Sequence, residues 1–150
     1  NIAFLDCITI NPSAFYNCSG LTIISFPNCA LIGSSAFAFC SGLTSIEFSN
    51  CGTIDSYAFR GCSHLTTASF PNCISINGYA FSGCTRLISL YLNSIITVPT
   101  LSNSVFISTP IGGYSTTAGQ YGNVYVPASL YSNFLIASNW SVISSRIISI

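Results

Sequence analysis

The sequence is short of charge. Six of its 150 residues, 4%, are charged, and lysine is absent, where about 25% is usual for a soluble domain. The six are Asp6, Glu47, Asp55, Arg60, Arg86 and Arg146, and they cancel to zero. A chain with so little field neither steers a polyanion nor holds to an anionic membrane surface, so nucleic acid is not an expected partner. Long apolar runs are missing too. A membrane-spanning helix needs roughly 20 apolar residues in a row, and here the longest runs are a handful, although 50% of the chain is hydrophobic. That hydrophobicity must therefore be spent on burial, and no membrane insertion is expected. No basic stretch followed by an apolar one opens the chain, which starts at Asn1, so a secretory signal is expected to have been removed or to lie upstream. Serine, threonine and asparagine have to supply most of the wetted surface, a composition that leans extracellular.

The chemistry-bearing motifs are equally scarce. No CxxC pair, GxSxG elbow or phosphate loop occurs, there is one histidine, and Glu47 and Asp55 are not paired for acid–base work. No catalytic residue, metal site or cofactor is expected.

What the sequence does have is period. Phe15, Phe37, Phe59 and Phe81 recur every 22 residues, each after an alanine, and Leu21, Leu43, Leu65 and Leu87 keep the same step. The eight cysteines join the pattern as two columns, Cys7, Cys29, Cys51, Cys73 and Cys18, Cys40, Cys62, Cys84, offset by 11 residues. A period between about 20 and 50 residues marks a solenoid. Residues 1–17 begin at the sixth position of a repeat, so the chain is expected to start in mid-coil, as part of something longer.

Residues 40–61, CSGLTSIEFSNCGTIDSYAFRG, serve as the type unit. Ile46 and Phe48 alternate inward while Ser45, Glu47 and Ser49 point outward, which predicts one short parallel strand per coil. Asn28, Asn50, Asn72 and, by close chemistry, Asp6 occupy the corner after it, where side chains can bond the backbone groups that a tight turn leaves unpaired. Ile54, Ala58 and Phe59 return on the far side as a short helical or extended segment that Asp55 or Ser56 could cap. Stacking must supply the core, because one coil cannot bury so much apolar surface alone. Stacked cysteine columns put Cβ atoms about 4.8 Å apart and pointing the same way, where a disulfide wants about 3.8 Å and converging vectors. All eight cysteines are therefore expected to be buried free thiols, with Phe15, Phe37, Phe59 and Phe81 filling the coil interior.

The regular step fades after Leu92. Residues 107–122 are rich in glycine, serine and threonine and read as an insertion, after which Val124, Tyr125 and Val126 align with Leu90, Tyr91 and Leu92 as a last strand. Pro127 opens a helical tail in which Leu130 and Phe134, then Trp140, Ile143 and Ile147, lie on one face. The expected organisation is repeats over 1–92, an irregular last coil with its insertion and final strand over 93–126, and a C-terminal helical cap over 127–150, closing an apolar end and a strand edge.

These residues, in the pattern CxxLxxIxFPNCxxIxxxAFxxC, resemble the BspA-like leucine-rich repeats of bacterial surface proteins, over nearly the whole chain. The tail VYVPASLYSNFLIASNWSVISSRI is similar to the terminal segment of gut-bacterial members, although those more often carry charge within the helix. The resemblance implies a leucine-rich-repeat solenoid at the cell surface or outside the cell. It associates such repeats with adhesion to matrix proteins and contacts between bacteria, and related modules with phage virions. The matching positions are core positions, so no ligand follows from them.

The outward strand columns are the candidate binding face: Ile23, Ser45, Thr67 and Ser89 in one, Ala3, Ser25, Glu47, Ser69 and Tyr91 in the other. They vary while the core repeats, and Glu47 and Tyr91 are their best anchors. The expected partner is a protein or glycan surface of a host cell, matrix or particle. Self-assembly within a virion or surface layer is the alternative, since a nearly neutral surface repels its own copies little. His64 shares a loop column with Gly20, Gly42 and Arg86 and reads as an exposed loop histidine. Two sequons, at Asn17 and Asn139, matter only if the source glycosylates them, and Asn17 adjoins a core cysteine.

Overall fold

The computed structural model describes residues 2–114 and 120–150. The chain winds as a solenoid whose strands come in pairs along the sequence. β1 (Ile2–Ala3) is followed by β2 (Thr9–Ile10), β3 (Ile24–Ser25) by β4 (Leu31–Ile32), β5 (Ser45–Glu47) by β6 (Thr53–Ile54), β7 (Thr67–Ser69) by β8 (Ser75–Ile76), and β9 (Ser89–Tyr91) by β10 (Thr100–Leu101). The odd-numbered strands stack in parallel on one side, as a two-stranded piece (β1, β3) and a longer piece running from β5. The even-numbered strands form a second parallel sheet, in the order β10-β8-β6-β4-β2. The return side is thus extended, and its two-residue strands give each coil a second rung that the sequence pattern did not single out.

The register shows why 22 residues make a coil. Ser45 pairs with Thr67 and Thr67 with Ser89 on one sheet, and Leu31 with Thr53 and Thr53 with Ser75 on the other. Identical side chains therefore meet. Phe15, Phe37, Phe59 and Phe81 stack face to face at 5.0, 5.3 and 5.5 Å, and Phe26, Phe48 and Phe70 form a second ladder at 6.1 and 5.7 Å. The asparagine column donates from Nδ2 to the coil before it: Asn28 to Leu5 O, Asn50 to Pro27 O and Asn72 to Ser49 O, at 2.7–2.8 Å. Each bond closes a corner carbonyl that neither sheet reaches.

Between the second strand and the next coil the backbone turns twice through the left-handed region. One column holds Ser13, Ser35, Tyr57, Tyr79 and Ser104 at φ between 56° and 65°, and another holds Asn17, Phe39, Gly61, Gly83 and Ser108. Non-glycine residues enter this region at a cost of roughly 1–2 kcal/mol each. Bonds between coils offset it, such as Tyr57 N–H to Gly78 O at 3.0 Å and Phe39 N–H to Arg60 O at 2.7 Å.

Beyond Leu92 the step lengthens, yet the stack continues. Thr100 pairs with Ser75, 25 residues earlier, and Phe106 lies on Phe81 at 6.0 Å. Ile107 and Ser108, which composition assigned to the insertion, belong to this coil: Gly83 N–H donates to Ile107 O at 2.8 Å, and Ser108 keeps the column's positive φ of 57°. The extra length of the next rung falls after them. Residues 115–119 of that insertion lie outside the described residues.

The chain then forms β11 (Asn123–Val126), in register with β9 through Asn123–Ser89, Val124–Leu90 and Tyr125–Tyr91. A 3₁₀ turn at Ala128–Leu130, helix α1 (Tyr131–Ile136) and a kinked 3₁₀ stretch at Ser141–Arg146 follow. Phe134 and Trp140 are fully buried, and the Trp140 ring carries the Phe ladder onward from Phe106 at 6.4 Å. Ile147, which its spacing from Trp140 and Ile143 placed on a helix, instead begins β12 (Ile147–Ser149), parallel to β11. The correction has a simple cause: Ile147, Ile148 and Ile150 are β-branched, and the edge of β11 offers the segment a ladder that a lone helical turn lacks.

Candidate functional site

Alternation along each strand sends Ile46, Ala68, Leu90 and Val124 into the core and leaves their neighbours outside. Parallel pairing in register then lines those neighbours into columns. From β5 onward the first runs Ser45, Thr67, Ser89 and Asn123, and the second runs Glu47, Ser69, Tyr91, Tyr125 and Ile148; Ala3 pairs with Ser25 in the separate two-stranded piece, and Ile23 immediately precedes that piece's second strand. Ile23, Ser25, Ser45 and Glu47 are exposed, while Thr67, Ser69, Ser89 and Tyr91 are half-buried.

The strand face therefore extends further than the candidate residues. Tyr125 stacks on Tyr91 with ring centroids 4.6 Å apart and planes 12° from parallel. Its place was readable from the alignment of Val124–Val126 with Leu90–Leu92. Asn123 and Ile148 complete the two columns, and beside them the Arg146 guanidinium sits 3.9 Å from the Tyr121 ring centroid. Arg146 precedes a strand that the sequence pattern hid, so nothing in its spacing pointed here. On β5, the first strand of the longer piece, is Glu47. Among the described residues its carboxylate meets only the Ser49 hydroxyl, at 3.4 Å.

A second aromatic surface covers the corner of the return side. Tyr57 and Tyr79 stack at 5.1 Å, Tyr16 meets Phe39 edge-on, and Arg60 lies over both Phe39 and Tyr57 at 5.6 and 5.5 Å. These rings are held by the left-handed turns described above. Phe39 folds onto Gly61, where an added Cβ would come within 2.6 Å of its ring. The surface is thus part of how the corner packs.

The cysteine columns need one correction. Cys29, Cys40, Cys51, Cys62, Cys73 and Cys84 are buried, but Cys7 is half-buried and Cys18 exposed. Phe15, expected inside, is likewise half-buried. All three belong to the first described coil, which has a described neighbour on one side only. All eight thiols are free, and the buried ones have work to do. Cys40, Cys62 and Cys84 donate from Sγ to the carbonyls of Phe15, Phe37 and Phe59 at 3.0–3.2 Å, and Cys29 and Cys51 to Leu31 and Thr53 at 3.2 Å. Burial pushes the Cys40 and Cys73 thiols up to about 12, and it raises Cys29 and Cys51 as well. The neighbouring Cys84 thiol, together with burial, raises Cys62 as well. These are inert thiols, small apolar residues with one hydrogen to give.

His64 is exposed, and its Nδ1–H donates to Ser41 O at 2.8 Å. Asn139 Nδ2 donates to Leu101 O at 2.6 Å, so the nitrogen a glycan would need is already engaged. Among the described residues no group of three or more His, Cys, Asp or Glu gathers as a metal site, and no helix is long and apolar enough to cross a membrane. A cleft of about 360 Å³ lies between Leu101–Ile107 and Asn139–Ile143, its lining uncharged and mixed, with Ser102, Asn103, Ser104 and Asn139 among apolar neighbours.

A family model described as a BspA type leucine rich repeat region matches the chain in six copies over residues 2–116. No curated protein matches the sequence.

Proposed function

The chain belongs to the BspA-type leucine-rich-repeat family, a repeat fold of the protein-interaction kind, and from that premise we propose that it is a non-catalytic, extracellular adhesion or receptor-binding module working through its strand face. The observation that carries this reading is the contrast between the two sides of each strand. Inward columns stay apolar throughout, as Ile46, Ala68, Leu90 and Val124 do, whereas outward columns change in character from coil to coil and collect Glu47, Tyr91 and Tyr125. Aromatic and charged side chains on a rigid sheet are the usual anchors of an interface. Residues 127–150 act as the cap that keeps the last coil from exposing its core, and 1–92 and 93–126 supply the regular and irregular parts of the face.

Replacing Glu47 and Tyr91 together with alanine should leave the chain folded with a modest fall in melting temperature, since Glu47 is exposed and the stacked Tyr91–Tyr125 pair is worth about 0.5–1.5 kcal/mol. The same pair should abolish retention of the chain on a panel of immobilised matrix proteins and glycans. Replacing Tyr57 and Tyr79 should leave retention intact. Loss with the second pair and not the first assigns the function to the other side.

One observation favours assembly as a second reading: the outer edge of β12 has no strand beside it among the described residues. Unprotected edges invite pairing with another chain. Mass photometry over a concentration series separates the readings, because an adhesion module remains a monomer where an assembly module grows.

A further inference from the structure

The strand face carries one unspent charge, and it stands in a particular place. Glu47, Ser69 and Tyr91 occupy consecutive rungs of one outward column. Rungs lie about 4.8 Å apart, so the glutamate and the tyrosine are separated by roughly 9–10 Å with only a serine between them. The Tyr91 ring is stacked on Tyr125 at 4.6 Å, nearly one rung, with the planes 12° from parallel. Its plane is therefore set across the column, one face covered by Tyr125 and the other turned toward the small Ser69. The result is a notch floored by Ser69, with an aromatic wall on one side and a carboxylate on the other.

Resting on the strand-face reading, we propose that this notch takes a basic side chain of a protein partner, an arginine above all. A planar guanidinium lying about 4 Å from the Tyr91 ring sits over Ser69, one rung short of Glu47 and within reach of its carboxylate. The ring quadrupole and the negative charge act on the occupant together. Charge accounting within the chain points the same way, with Asp6 and Arg86 exposed on turns outside the strand columns. Asp55 is met by the Ser56 N–H at 2.7 Å and by Asn77 Nδ2 at 3.1 Å. Arg60 and Arg146 each lie over a tyrosine ring, which shows the pairing of guanidinium with tyrosine twice within this chain. Glu47 has only the long bond from Ser49, so the cation that would complete it comes from outside. Flanking Ser45, Thr67 and Ser89 offer hydroxyls to the partner's backbone on either side.

The probe is a short peptide, acetyl-Ser-Arg-Ser-amide, titrated into the isotope-labelled chain and followed by NMR, with the citrulline peptide as its neutral, isosteric counterpart and a methyl glucoside as the glycan probe. Saturable shifts at Glu47, Ser69 and Tyr91 are expected with arginine, weakened roughly three- to tenfold by citrulline and by Glu47→Gln. Equal binding of arginine and citrulline, or no saturable shift with arginine at the notch, overturns the inference, as does binding of the glucoside there in place of arginine. None of these results touches the broader reading, which stands or falls with retention on the matrix panel after the Glu47 and Tyr91 substitutions.

Discussion

Cys18 and Cys40 stand one coil apart in the same column, yet one is exposed and the other is buried with its Sγ donating to the Phe15 carbonyl. Period alone could not tell them apart, because the difference comes from what covers each coil and not from the residue. Under native conditions an alkylating reagent should label Cys18 and, more slowly, Cys7, and mass spectrometry should find the other six labelled only after unfolding. Fast native labelling beyond two sites would contradict the burial described. The raised thiols also make stability depend on pH. Cys40 and Cys73 ionise at about 12 in the fold, against the ordinary value of 9.0 once unfolded. Between these values the unfolded chain holds fewer protons, so the stability present in full below pH 9 declines as pH rises, by up to about tenfold in the unfolding equilibrium per pH unit for each thiol. The urea midpoint should fall through that window, and less steeply after Cys40→Ala. At this scale the sequence was readable wherever a column has one job. The left-handed turns stayed hidden because serine, tyrosine, asparagine, phenylalanine and glycine all occupy them.

The first strand of every coil announces itself through alternation, as at Ser45–Glu47, and the structure has it there. The second strand, only two residues long, has no period to read and forms because the neighbouring coils pair with it. The same limit explains β12, whose β-branched residues follow a helical spacing and become a strand only beside β11. Between these lies the tail, which holds the end of the stack through two side-chain donors: Asn139 Nδ2 to Leu101 O, and Trp140 Nε1 to Pro99 O at 2.7 Å. Trp140 is fully buried against Phe106 and Phe134. Trp140→Ala should therefore cost about 3–5 kcal/mol and shift the urea midpoint accordingly. A variant that melts like the parent chain would remove residues 127–150 from the capping role.

Across the whole molecule, parallel strand stacks on two sides and two phenylalanine ladders make a rod whose surface is almost free of charge. The solenoid, its inward columns and the return of the strand at Val124–Val126 were all legible from the 22-residue step. The reach of the outward face to Ile148 and Arg146 was not, because it depends on a strand without a repeat. Tyrosines stand on both sides of the rod, Tyr91 and Tyr125 on the strand face and Tyr57 and Tyr79 on the return corner, so the molecule carries its own reporters. Hydroxyl-radical footprinting of the chain, free and then bound to whichever immobilised matrix protein or glycan retains it, reads all four rings in one experiment. Protection of Tyr91 and Tyr125 with Tyr57 and Tyr79 unchanged is the predicted result, and protection of Tyr57 and Tyr79 alone would contradict the assignment of function to the strand face.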